Sequence, residues 1–112
     1  MQLSHRMDNN LCVFSVEGNI ALDGVSDVKS YVKPFLADEA VKGVVVNFEH
    51  VNFIDSSGIG LIVSIFKTLQ QRGAKLALCK LSKKNQEIFN MTRLDKILNI
   101  YESEKDALAH FK

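Results

Sequence analysis

An apolar, β-branched run followed by an abrupt change of period constrains this chain more than any other feature. Val41 to Phe48 reads as a strand buried on both faces. After the junction Asn52-Phe53-Ile54-Asp55-Ser56-Ser57-Gly58-Ile59-Gly60, apolar residues recur at Ile59, Ile62, Val63, Phe66 and Leu69. That spacing is one face of a helix running from about Ser57 to Arg72, with Gly73 as its stop. Asp55, Ser56 and Ser57 therefore stand where a strand hands over to a helix. Asp and Ser suit such a place because their oxygens satisfy free N–H groups of the first turn. Gly58 and Gly60 are expected to let that turn approach neighbouring backbone closely. Hydroxyls here face the positive end of a helix, where negative charge is tolerated.

The same alternation extends along the chain. Gln2 to Arg6 and Leu11 to Glu17, separated by Asp8-Asn9-Asn10, read as a β-hairpin. A helix follows with Val25, Val28, Val32, Phe35 and Leu36 inward and Asp23 as its expected cap. Pro34 is expected to kink or stop it near Lys33. Lys75 to Leu81 is the next strand, and Ser82 caps a helix carrying Ile88, Phe89 and Leu94. A short strand at Ile97 to Tyr101 and a helix from Ser103 to Phe111 close the chain. Strands alternating with helices make a βαβ architecture. The expected fold is α/β, one domain over residues 1–112. It has a mixed sheet of four to five strands layered by about four helices.

Composition excludes several functions. Fourteen basic and 13 acidic residues leave a net charge of +1, which argues against a nucleic-acid or anionic-membrane binder. Met1-Gln2-Leu3-Ser4-His5-Arg6 lacks the apolar segment of a signal peptide, and no apolar run approaches membrane-spanning length. Cys12 and Cys79 lie in strand-like runs and read as buried thiols, which suits a reducing cytoplasm. His5, His50 and His110 are scattered, so no metal site or cofactor is expected. Lys80, Lys83 and Lys84 read as a solvated strand-to-helix corner, with docking of an acidic partner as the alternative.

Two nucleotide and enzyme motifs fail at the junction. Gly58-Ile59-Gly60 meets Val63 where a dinucleotide fingerprint needs a third small residue. Ser56 has Ile54 where a nucleophile elbow needs glycine. What Phe53-Ile54-Asp55-Ser56-Ser57-Gly58-Ile59-Gly60 does resemble is the signature of the STAS domain of bacterial anti-sigma factor antagonists, and the resemblance extends over nearly the whole chain. It implies that Ser56, directly after Asp55, is phosphorylated by an anti-sigma factor serine/threonine kinase with a histidine-kinase-like ATPase fold. A PP2C-type phosphatase would reverse the modification, and the domain itself would catalyse nothing.

Leu61 and Ile65 lie outside the helix's apolar stripe. They either pack under a neighbouring helix or form an exposed patch; the family's docking mode favours the patch. The expected partner surface is thus Asp55, Ser57, Gly58, Leu61, Ile65 and Asp23. Many family members carry Gly-x-Leu-Asp at the end of the second strand, whereas Gly18-Asn19-Ile20-Ala21 stands here. Asp23 either replaces that acid or only caps its helix. The alternatives are a STAS regulator of a target other than a sigma factor, and a nucleotide or small-ligand sensor using the same loop.

Overall fold

A computed structural model describes residues 1–111. Strands β1 (Gln2–Asp8) and β2 (Leu11–Ile20) form the antiparallel hairpin. Asn9 in its turn has φ 57°, a left-handed conformation that Asn adopts more readily than most residues. Then come α1 (Leu22–Ala37), β3 (Gly43–Ile54), α2 (Ser56–Gln71), β4 (Lys75–Cys79) and α3 (Lys83–Met91). A 3-10 turn (Leu94–Lys96), β5 (Asn99–Tyr101) and α4 (Glu104–Ala109) complete the order. The sheet runs β1-β2-β3-β4-β5, with β2 to β5 parallel. This mixed five-stranded sheet with four α-helices agrees with the four to five strands and about four helices that the sequence predicts.

Topology decides which face each helix covers. Right-handed crossovers between strands in sequential order put every connecting helix on one face. Accordingly Val28 and Val32 of α1, Ile62 and Leu69 of α2, and Phe89 of α3 share one core with Phe14, Val46 and Leu78. The alternate strand residues Val13, Val45, Ala77 and Cys79 point to the other face, where Ala107 of α4 covers them. A side-chain network ties α4 down, with Glu104 accepting from Asn47 and from the Arg6 guanidinium. Cys12 and Cys79 are free thiols on opposite faces, and burial pushes both up to about 11.

Beyond end shifts of one to three residues, and Leu94, which lies in the 3-10 turn and not in α3, three elements differ from the sequence expectation. Helix α1 passes through Pro34 and ends at Ala37. Proline removes one donor there, but the last turn is closed from outside. Arg72 donates to the carbonyls of Phe35, Leu36 and Val41, at 3.3, 2.8 and 2.7 Å. The first two are groups a helix C-terminus leaves without intrahelical partners, and Val41 lies in the segment that follows α1. Strand β3 extends to Ile54 rather than ending at Phe48, because the far half of β2 pairs with it as far as Ile20 against Ile54. Two register shifts, on either side of Gly18, carry that pairing.

The third difference is on α2. Leu61 is 6% exposed and Ile65 2% exposed, so neither forms a protruding patch. The sheet covers α2 from below while α1 lies alongside it, and a helix flanked twice needs apolar residues over a wide arc. Leu61→Ala and Ile65→Ala should each destabilise the fold by about 2–5 kcal/mol in chemical denaturation, the usual range for truncating a buried aliphatic side chain. Ile65→Asp should abolish cooperative folding, as judged by circular dichroism. A substitution tolerated at either position would return the pair to the surface.

Candidate functional site

Because β2 and β3 end side by side, the two strand-to-helix junctions meet, and one carboxylate serves both. Asp55 is the N-cap of α2, in extended conformation. Its Oδ1 accepts from the Gly58 N–H at 2.9 Å and from the Ser57 hydroxyl at 2.6 Å. Its Oδ2 accepts from the Leu22 N–H at 3.3 Å, in the first turn of α1. Backbone pairing adds the Asp55 N–H to the Ile20 carbonyl at 3.4 Å. Donors around a carboxylate favour its charged form. The Ser57 hydroxyl first, and then the Gly58 N–H, hold the Asp55 carboxyl below its ordinary value.

Gly58 is required by space. A Cβ there would collide with the Ile20 carbonyl and lie 2.7 Å from Cγ1 of Ile54. Gly60 has open space around it, so the expectation of close backbone approach holds at Gly58 alone.

Ser56 is the first residue of α2 and is exposed. Among the described residues its hydroxyl makes no hydrogen bond, while the Ser57 hydroxyl is held by Asp55. One serine is thus free at a helix N-terminus and its neighbour is engaged. Ser57 donates to the capping carboxylate; it does not accept from an N–H of the first turn.

Asp23 does not cap α1. The N-cap is Ala21, which has no side-chain bond to give, and Asp55 supplies an acceptor instead. Asp23 is exposed and lines a cleft of about 470 Å3 together with Asn19, Leu22, Asp27 and Asp55. Gly58, Leu61 and Ile65 are the three expected site residues that the fold buries; Gly58 stays at the junction, whereas Leu61 and Ile65 are withdrawn from this surface.

Two exposed apolar residues flank the site instead. Leu22 is 78% exposed and Phe53 37% exposed, with the Lys84 ammonium 5.5 Å from the Phe53 ring centroid. Periodicity gives no warning of Leu22, which stands three residues before Val25 and so extends the apolar stripe of α1. In the structure the first turn of α1 stands at the cleft rim, outside the core. Among the described residues no hydrolytic triad forms at Ser56: His50 lies in β3 beside Glu49, 3.7 Å away, and makes no bond to Ser56. Among the described residues no three His, Cys, Asp or Glu side chains form a group able to hold a metal.

Comparison with known proteins decides the family. The family model described as STAS domain matches residues 2–107. The chain belongs to the STAS family. An anti-sigma F factor antagonist from Paenibacillus polymyxa is 31% identical to this STAS chain over 80 residues, 67% of the chain and 68% of that protein. Two solved structures share the STAS architecture. An anti-sigma-factor antagonist domain protein from Planctomyces limnophilus superposes with a TM-score of 0.86, at 21% identity over 96% of each chain. The phosphorylated form of the Bacillus cell fate determinant SpoIIAA gives 0.78 at 20% identity, over 99% of this chain and all of that one.

The two glycines of the STAS junction should behave oppositely. Gly58→Ala should destabilise by about 1–3 kcal/mol, as overpacking does. Gly60→Ala should stabilise by about 0.5–1 kcal/mol, as replacing glycine inside an exposed helical turn does. Thermal melts of the two variants check this, and equal shifts would contradict the geometry.

Asp55 makes a separate prediction in pH. An unfolded aspartate titrates at about 3.9. The native carboxyl lies lower, so its stabilisation is complete above that value and is lost as pH falls through the native one. Asp55→Asn should therefore flatten the acid limb of the stability–pH curve, measured by urea denaturation. An unchanged limb would remove Asp55 from the linkage.

Proposed function

We propose that this protein is an anti-sigma factor antagonist that switches partners by reversible phosphorylation of Ser56. Unmodified, it binds an anti-sigma factor serine/threonine kinase of histidine-kinase-like ATPase fold and keeps that protein from its own target. The kinase phosphorylates Ser56, the complex dissociates, and a PP2C-type phosphatase restores the binding form. The protein acts in the cytoplasm and catalyses nothing.

The observation that carries this reading is the free Ser56 hydroxyl beside a fully engaged Asp55. Modification there adds about −1.5 to −2 charges without displacing a bond the fold relies on. A phosphate at a helix N-terminus gains roughly 0.3–1 kcal/mol in the isolated domain, partly offset by the adjacent Asp55 carboxylate. Desolvating it in a closed interface, against exposed apolar residues such as Leu22 and Phe53, costs several kcal/mol unless basic groups are supplied. The second effect is larger, so the domain survives modification while the complex does not. The carboxylates of Asp23, Asp27 and Asp55 in the adjacent cleft favour this reading over a nucleotide sensor, because they repel a phosphorylated ligand. The names of the Paenibacillus and Planctomyces relatives support the choice of an anti-sigma factor as the partner.

Mass spectrometry after incubation with the cognate kinase and ATP should find phosphate on Ser56; phosphate on Ser57 alone would refute the assignment. Ser56→Ala should retain the kinase in a pull-down, and Ser56→Asp should lose at least tenfold in affinity, with both variants folded. Equal retention by the two would sink the charge switch.

A further inference from the structure

A second concave surface lies away from the junction. Between the later turns of α1 and the middle of α2 runs a groove of about 260 Å3. Its accessible floor is Leu36 and Ala37 from α1, backed by the buried side chains of Val32, Leu61 and Ile65. One rim carries Lys29 and Lys33, one helical turn apart on the same face of α1, and the other carries Ser64 and Thr68. No carboxylate lines the groove, and neither lysine joins an ion pair among the described residues. The acids of α1, Asp23 and Asp27, stand at its other end, in the cleft beside Asp55. In a chain of net charge +1, this positive rim is a local feature.

We propose that the groove docks an amphipathic helix of a partner protein, with apolar anchors on the floor and acidic residues against Lys29 and Lys33. Three considerations select that occupant. The volume falls below the roughly 300–1,000 Å3 of pockets that enclose small molecules. An apolar floor open along two parallel rims is what helix-in-groove recognition uses, with anchors repeating every three to four residues. Two unpaired lysines on one rim reject a basic helix and steer an acidic one. Leu61, the groove residue of α2 nearest the junction, lies about 7.5 Å along α2 from Ser56, which lines no part of the groove. The inference goes beyond the switch and does not rest on it.

The test uses the full chain, 15N-labelled, and two synthetic helical peptides with the same leucine anchors, one flanked by glutamates and the other by lysines. The glutamate peptide should shift the amides of residues 29–37 and 61–68 and bind at least tenfold tighter than the lysine peptide. Lys29→Glu with Lys33→Glu, both exposed positions that leave the core intact, should erase or reverse that preference. Ser56→Asp should leave the titration unchanged, which separates failure of the groove from failure of the switch. Equal affinity for the two peptides, shifts confined to another face, or no shift at millimolar peptide would overturn the proposal. So would binding to anionic vesicles through the same lysines in the absence of any response to the glutamate peptide.

Discussion

The carboxylate of Asp55 holds together two helices that belong to different crossovers. It accepts from the first turn of α1 and from the first turn of α2. It reaches both only because β2 and β3 are paired to their last residues, Ile20 against Ile54. Free N–H groups at a helix start must find acceptors. Ala21 offers none from its side chain, so α1 borrows an acceptor from the neighbouring junction. Gly58 belongs to the same constraint, since the Ile20 carbonyl occupies the space a Cβ would need.

One consequence is an unusually clear division of labour between adjacent residues. Asp55, Ser57 and Gly58 are committed to one another, and Ser56 alone is left with an uncommitted hydroxyl. A surface group that can change its charge without loosening a helix suits a regulatory site. The carboxylates of Asp23 and Asp27 nearby make the surroundings of the junction negative.

Helix α2 connects the two surfaces described above. Its N-terminus presents Ser56, its underside meets the sheet, and its flank meets α1, where Arg72 closes the end of α1 by bonding its Phe35 and Leu36 carbonyls together with that of Val41. The chain's own charges are sorted along α1, with acids in the first turns and lysines later. The junction and the groove therefore present opposite electrostatic faces to anything that approaches α1 and α2.

Much of this was legible in the sequence, because it depends on short-range periodicity and local capping. The buried strand expected over Val41 to Phe48, which the structure starts at Gly43, the helix after Asp55, the hairpin turn at Asn9, and Ser82 as the cap of α3 all follow from residue type and spacing within a few positions. The STAS signature around Ser56 is local in the same sense. What tertiary structure decided concerns groups brought together from distant parts of the chain. The last turn of α1, which follows Pro34, is closed by Arg72, far along the sequence, through the Phe35 and Leu36 carbonyls. Asp23 is relieved of capping because Asp55 reaches the same helix. Leu61 and Ile65 are buried because α1 lies beside α2, and Leu22 is exposed because its turn stands outside the core. A helical period says which residues share a face. Only the packing of one element on another says whether that face meets protein or water.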